Sequence, residues 1–88
     1  MEELLKQNYA LFRTNDELNN ADDMYGTFIR RLSGISNGGY QYGTLVGIES
    51  PGHIVQISFD ASPNTGIRVR QKSSNKWSGW TELSHIIL

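Results

Sequence analysis

Tyr40, Tyr42, Arg68, Arg70, Trp77 and Trp80 are the residues of this chain whose types and spacing could do chemistry. The two tyrosines stand in a loop over residues 33–43 that is otherwise rich in Gly, Ser and Asn. Recognition loops use this composition because Tyr gives contact area at low entropy cost. The tetrapeptide Trp77-Ser78-Gly79-Trp80 puts two indoles in four residues. Flat aromatic faces combined with planar polar groups are the chemistry that holds a saccharide, and Arg supplies a rigid fork of donors. Arg68, Arg70, Lys72 and Lys76 sit close together, with Glu82 the acid in their neighbourhood. That cluster reads either as a cationic patch for acidic glycans or as a sheet edge guarded by positive charge. Each of the six residues is equally open to an architectural role. A buried indole removes roughly 150–250 Å² from water and anchors a core, and loop tyrosines can fold back in the same way.

Catalysis finds little support. Glycoside hydrolysis needs two carboxylates facing each other across a bond. Glu49, Asp60 and Glu82 are the acids of the region expected to be β, and Glu49 and Asp60 flank turns rather than sit in apolar settings. The pair Asp22-Asp23 lacks the spacing of a calcium loop and reads as a solvated turn. His53 and His85 have no ligand-like spacing, and cysteine is absent. Neither a metal centre, nor a cofactor, nor an enzyme is expected. A net charge of −1 argues against general electrostatic binding of nucleic acid. No apolar run approaches the roughly 20 residues that cross a membrane, and the acidic start has no apolar core of a signal peptide.

The elements that must position the aromatic and cationic residues are strands. Val55, Ile57 and Phe59 alternate with Gln56 and Ser58, and Ile67 and Val69 alternate with Arg68 and Arg70. Period-two alternation marks half-buried strands. Antiparallel pairing would put the five apolar residues on one face and Gln56, Ser58, Arg68 and Arg70 on the other. Pro63, Asn64 and Gly66 give the connecting loop its turn chemistry. Further strands are expected over residues 25–32 and 44–49, and Thr81, Glu82 and Leu83 look like a short closing strand. Ser50-Pro51-Gly52 matches a type II turn, with Pro at its second and Gly at its third position.

Residues 1–13 form an expected helical segment, because Leu5, Tyr9 and Phe12 fall on one stripe. Thr14 and Glu17 make a capping-box pattern for a short second turn. Residues 84–88 end on Ile86, Ile87 and Leu88, which must pair as a last strand or meet a neighbouring chain. The expected architecture is mainly β, α+β at the margin: a small antiparallel sheet in a single domain over residues 14–88, behind a short N-terminal helix. At 88 residues the core is modest, and with no disulfide available, assembly is the remaining route to extra stability.

Several of these residues carry a family resemblance. Gln56 and Arg70 in successive strands, a polar turn, then Trp77-Ser78-x-Trp80 and Leu83 resemble the knob-type domain of phage tail fibres and tail-like bacteriocins, the pyocin knob family. Glu17-Leu18-Asn19 is similar to the Asp-Leu-Asn that opens such domains, and residues 37–43 to their Gly- and Tyr-rich approach to the first long strand. The similarity covers residues 15–83. It departs at Met24-Tyr25-Gly26, where the family has Gly-Tyr or Gly-Phe. The resemblance implies a receptor-binding module at the tail of a phage or prophage-encoded particle. It implies contact with bacterial surface polysaccharide through Tyr40, Tyr42, Arg68, Arg70, Trp77 and Trp80, trimeric association with copies of itself, and contact with other tail proteins. A fibre or assembly domain without a ligand is the alternative.

Overall fold

The computed structural model describes residues 15–61 and 66–83. The helix expected over residues 1–13, Thr14 of the capping box and the apolar end at residues 84–88 lie outside them, as does the tip of the loop at residues 62–65. The described chain is mainly β. Six strands, β1 (Phe28–Ser33), β2 (Tyr42–Ser50), β3 (His53–Asp60), β4 (Ile67–Ser73), β5 (Lys76–Trp77) and β6 (Thr81–Glu82), form one antiparallel sheet. Their order is β1-β2-β3-β4-β5, with β6 following β5 along the same edge of β4. The turn between β2 and β3 carries Gly52 at φ +77°, the left-handed residue that a type II turn requires.

Cross-strand register assembles the sheet in rows. One row is Phe28, Gly47, Gln56 and Arg70; the next is Arg30, Leu45, Ser58 and Arg68. The partition of side chains between the faces follows the alternation in the sequence. Which face is covered does not. Gln56, Ser58 and Arg70 are buried, while Val55, Ile57, Ile67 and Val69 are half-buried and Phe59 is exposed. The cause lies in two irregular segments, over residues 15–24 and 34–40, that lie over the polar-bearing face.

The first segment turns at Asn15, where the Leu18 N–H donates to the Asn15 carbonyl, and then makes a 3-10 turn over Ala21–Asp23. Asn20 caps that turn by accepting from the Asp22 N–H at 3.0 Å. A parallel bridge between Asn20 and Ser36 ties the two segments together. Ala21, Met24, Phe28, Leu32 and Leu45 form the dry core beneath them, flanked by Leu18, Ile35, Tyr40 and Trp80.

Two local expectations change. The strand expected from residue 25 begins at Phe28, because Met24 enters the core and buried Asn15 holds the Tyr25 backbone through both its side-chain oxygen and nitrogen. The Asp22-Asp23 pair is not simply a solvated turn, since Asp22 faces Arg70. Phe28 fixes a third feature. Its ring lies over Gly47, its cross-strand partner, and a Cβ there would fall inside the ring's contact envelope. Gly47→Ala is expected to cost about 1–3 kcal/mol through overpacking. The urea midpoint should fall while the slope of the transition stays unchanged.

Candidate functional site

Arg70 is the centre of the covered face. Its Nε–H donates to Gln56 Oε1 at 2.8 Å, and its Nη1 to Asp22 Oδ1 at 2.6 Å. Gln56 uses its amide nitrogen on the Ala21 carbonyl at 2.8 Å. One cross-strand pair thereby grips the 3-10 turn at both ends. The guanidinium also lies 4.1 Å from the Trp77 ring and 4.7 Å from the Trp80 ring. Trp77 Nε1–H donates to the Asp22 carbonyl at 3.1 Å, and Trp80 Nε1–H to the Asn37 carbonyl at 3.1 Å. Burial lowers the Arg70 pKa from its ordinary value, and its hydrogen bond and charge pairing with Asp22 work against that shift. The cation stays charged because its deprotonation lies far above neutral pH.

Arg68, two residues earlier on the same face, stands in a different setting. Its guanidinium covers the Tyr40 ring at 4.3 Å and donates to the Gly39 carbonyl. Tyr40 donates its hydroxyl to Glu82 Oε1 at 2.9 Å, and the Arg68–Glu82 ion pair at 3.6 Å is solvated, with the Arg68 side chain 38% exposed. Trp80, Asn37, Gly39, Tyr40, Gln41 and Arg68 line an open groove of about 500 Å³. A depression of similar size, about 530 Å³, lies at the opposite end of the sheet between the β2–β3 and β4–β5 turns. His53, Glu49 and Lys72 contribute to it, but no aromatic ring does. The groove therefore has the flat apolar platform that the turn depression lacks.

The six expected site residues divide three ways. Tyr40, Arg68 and Trp80 converge on the groove. Arg70 and Trp77 lie behind it as its support, Arg70 being buried and Trp77 half-buried. Tyr42 begins β2 with its side chain on the opposite face, 57% exposed. The edge-guard reading of the cations fails for Arg70, which is enclosed by two indoles. Sequence reasoning missed Asp22, Asn37 and Arg30. Arg30 donates to the Asn15 and Leu18 carbonyls and so fixes the first turn, and Asn37 Nδ2 reaches Asp22 Oδ2 at 3.1 Å. None of the three carries a local pattern that announces a long-range partner.

Register separates two of the acids considered for hydrolysis, Glu49 and Asp60. Glu49 pairs with Ile54 and Gly43 with Asp60, so Glu49 and Asp60 lie at opposite ends of the hairpin. Six residues of strand put them roughly 20 Å apart along its axis, beyond a two-carboxylate site. Glu49 Oε1 accepts from the Gly26 N–H at 3.2 Å. Among the described residues no cluster of three or more His, Asp or Glu could hold a metal ion, and no helix is long and apolar enough to cross a membrane. No family model, curated protein or solved structure matches the chain.

The two arginines should respond differently to the same substitution. Arg70→Lys loses the planar stack and the bond to Gln56, and is expected to cost about 1–3 kcal/mol. Arg68→Lys, in a solvated pair, should cost less than about 1 kcal/mol. Thermal unfolding of both variants checks the contrast. Tyr40 provides a titration marker. Desolvation and then the Glu82 hydrogen bond raise its pKa above the ordinary 10.0, against the lowering effect of Arg68. The neutral phenol is the favoured form in the fold, so its contribution to stability is complete below pH 10.0 and disappears as pH rises through the raised value. Ultraviolet titration should find Tyr40 ionising above the ordinary phenol value, and Glu82→Gln should move it back down.

Proposed function

We propose that the chain is a non-catalytic module of a phage or prophage tail fibre that seats a bacterial surface glycan in the Tyr40–Trp80 groove and contributes to the fibre's structure. The observation that carries the reading is the convergence of two aromatic rings and a stacked guanidinium on one open groove. A sugar ring presents an apolar face bordered by hydroxyls. Tyr40 and Trp80 offer apolar platforms, and Arg68 and Gln41 offer planar polar groups at the rim. Arg70 and Trp77 have no direct part in this contact. They keep Trp80 in place from beneath, so the groove is preformed and little is lost in ordering it on binding. The order of Gln56, Arg70, Trp77-Ser78-x-Trp80 and Leu83, with its likeness to knob domains, supports placement at the tail of a virion, among other tail proteins.

A fibre or assembly domain with no glycan is the second reading. It is favoured by one observation, the apolar face of the sheet opposite the groove, over which none of the described segments lies. Binding separates the two. Titration of the chain with a panel of bacterial surface polysaccharides, followed by tryptophan fluorescence, should show saturable binding for at least one. Tyr40→Ala should weaken it about tenfold or more, equivalent to at least ~1.4 kcal/mol, whereas Tyr42→Ala on the far face should leave it unchanged. No saturable change with any polysaccharide selects the structural reading.

A further inference from the structure

We infer that the Tyr40–Trp80 groove selects a neutral glycan over an acidic one, and that Glu82 sets this selectivity. This rests on the glycan seat proposed for the groove and adds the charge of the sugar. The sequence offers an acidic glycan four neighbouring cations, and the fold withdraws them. Arg70 Nη1 holds Asp22 Oδ1 at 2.6 Å, and the Arg70 side chain is 5% exposed, closed to a ligand. Lys72 lies over the Trp77 ring at 5.7 Å and does not line the groove. Lys76 pairs in register with Ser73, on the other face of the sheet. Arg68 alone of the four lines the groove. Its cross-strand partner is Glu82, so the two side chains leave the same face, with Nε and Oε1 3.6 Å apart.

Tyr40 senses the resulting field, since its ring lines the groove and its hydroxyl donates to Glu82 Oε1 at 2.9 Å. After desolvation, the hydrogen bond and charge of Glu82 and the charge of Asp60 disfavour the phenolate, and Arg68 acts the other way. Two carboxylates against one guanidinium leave the wall of the groove slightly negative. The field that opposes a phenolate there also opposes the carboxylate or phosphate of an acidic sugar.

The bonding capacity of the pair points the same way. Arg68 Nη1 is committed to the Gly39 carbonyl, while Nη2 has no hydrogen bond among the described residues. Glu82 Oε2 likewise has none among them, and the Glu82 side chain is 59% exposed. A donor and an acceptor thus stand side by side at the edge of the groove. A sugar hydroxyl answers both at once, accepting through its lone pairs and donating its proton. An ionised carboxylate only accepts. It would satisfy Arg68 and leave Glu82 facing a like charge, the arrangement by which binding sites reject wrong partners. The aromatic platforms are indifferent to charge, so the choice falls to the ion pair.

The test compares each acidic member of the polysaccharide panel with its own carboxyl-reduced form. Carbodiimide activation and borohydride reduction turn its uronates into neutral hexoses and leave the linkages in place. Fluorescence titration of the full chain at low salt, where charge effects are largest, should find neutral members and reduced forms bound about tenfold or more tighter than acidic ones. Glu82→Gln keeps an acceptor for the Tyr40 hydroxyl and removes the charge. It should weaken the neutral sugars about threefold and tighten the acidic ones about tenfold, a crossover that damage to the groove would not produce. An acidic polysaccharide bound as tightly as its reduced form overturns the inference and leaves the glycan seat standing. So does a preference that Glu82→Gln leaves unaltered. No saturable binding of any polysaccharide overturns both the seat and its selectivity. Should Glu82→Gln fail to fold, salt supplies the same information on the wild type. The gap between acidic and reduced forms should narrow as salt rises, and a gap that salt leaves unchanged contradicts selection by charge.

Discussion

A cross-strand pair of polar residues, Gln56 and Arg70, organises this small sheet. Each strand contributes one side chain to the middle of a face, and both are buried. An arginine in such a position is costly unless its charge and its donors are answered. Here Gln56 and Asp22 take its Nε–H and Nη1–H donors and two indole faces lie against its charge, while Nη2 is buried with no hydrogen-bond partner among the described residues. Gln56 has a second task, because its amide nitrogen holds the Ala21 carbonyl. The pair thus reaches out of the sheet and captures the 3-10 turn. Once that turn is held, Ala21 and Met24 close over Phe28, and the second irregular segment follows through the Asn20–Ser36 bridge. Trp77 and Trp80 close the other side, each spending its N–H on a backbone carbonyl of one covering segment. A domain with few apolar residues to bury gains its specificity from this network, in which one misplaced partner would leave several polar groups unanswered.

The strands and their pairing were legible because alternation, the Pro51-Gly52 turn and the Asn- and Gly-bearing loops are local signals. Val55 to Phe59 and Ile67 to Val69 announce period two without ambiguity, and register then distributes the side chains. What alternation cannot say is which face meets water. Hydrophobicity alone assigns Val55, Ile57 and Phe59 to the interior and Gln56 and Arg70 to the surface, whereas the fold buries Gln56 and Arg70 and leaves Val55 and Ile57 half-buried and Phe59 exposed. The deciding contacts join residues far apart in sequence: Arg70 with Asp22, Trp77 with Asp22, Trp80 with Asn37. No window of the sequence contains both partners. The candidate site was legible to the same degree. Tyr40, Arg68 and Trp80 meet as their types suggest. Arg70 and Trp77 have the same chemistry and neighbouring positions, yet their strand and turn geometry turns them into the scaffold behind the groove. Tyr42, only two residues from Tyr40, opens β2 on the far face, while Tyr40 lies before the strand in the segment over the covered face.

The two faces of the sheet divide the work of the domain. On the covered face, polar side chains fix a shape and present Trp80, Tyr40 and Arg68 at its rim. On the other lie mostly apolar rows, one of which begins at Arg31 beside Thr44.

The central claim is that Gln56 and Arg70 act as a unit to hold the covering turn, and a double-mutant cycle measures it most directly. Unfolding free energies of the wild type, Gln56→Leu, Arg70→Met and the double variant give the coupling between the two side chains. The account expects a coupling of about 1 kcal/mol or more, with the double variant less destabilised than the sum of the single ones. Additivity within about 0.5 kcal/mol would contradict it, since that is how independent sites behave.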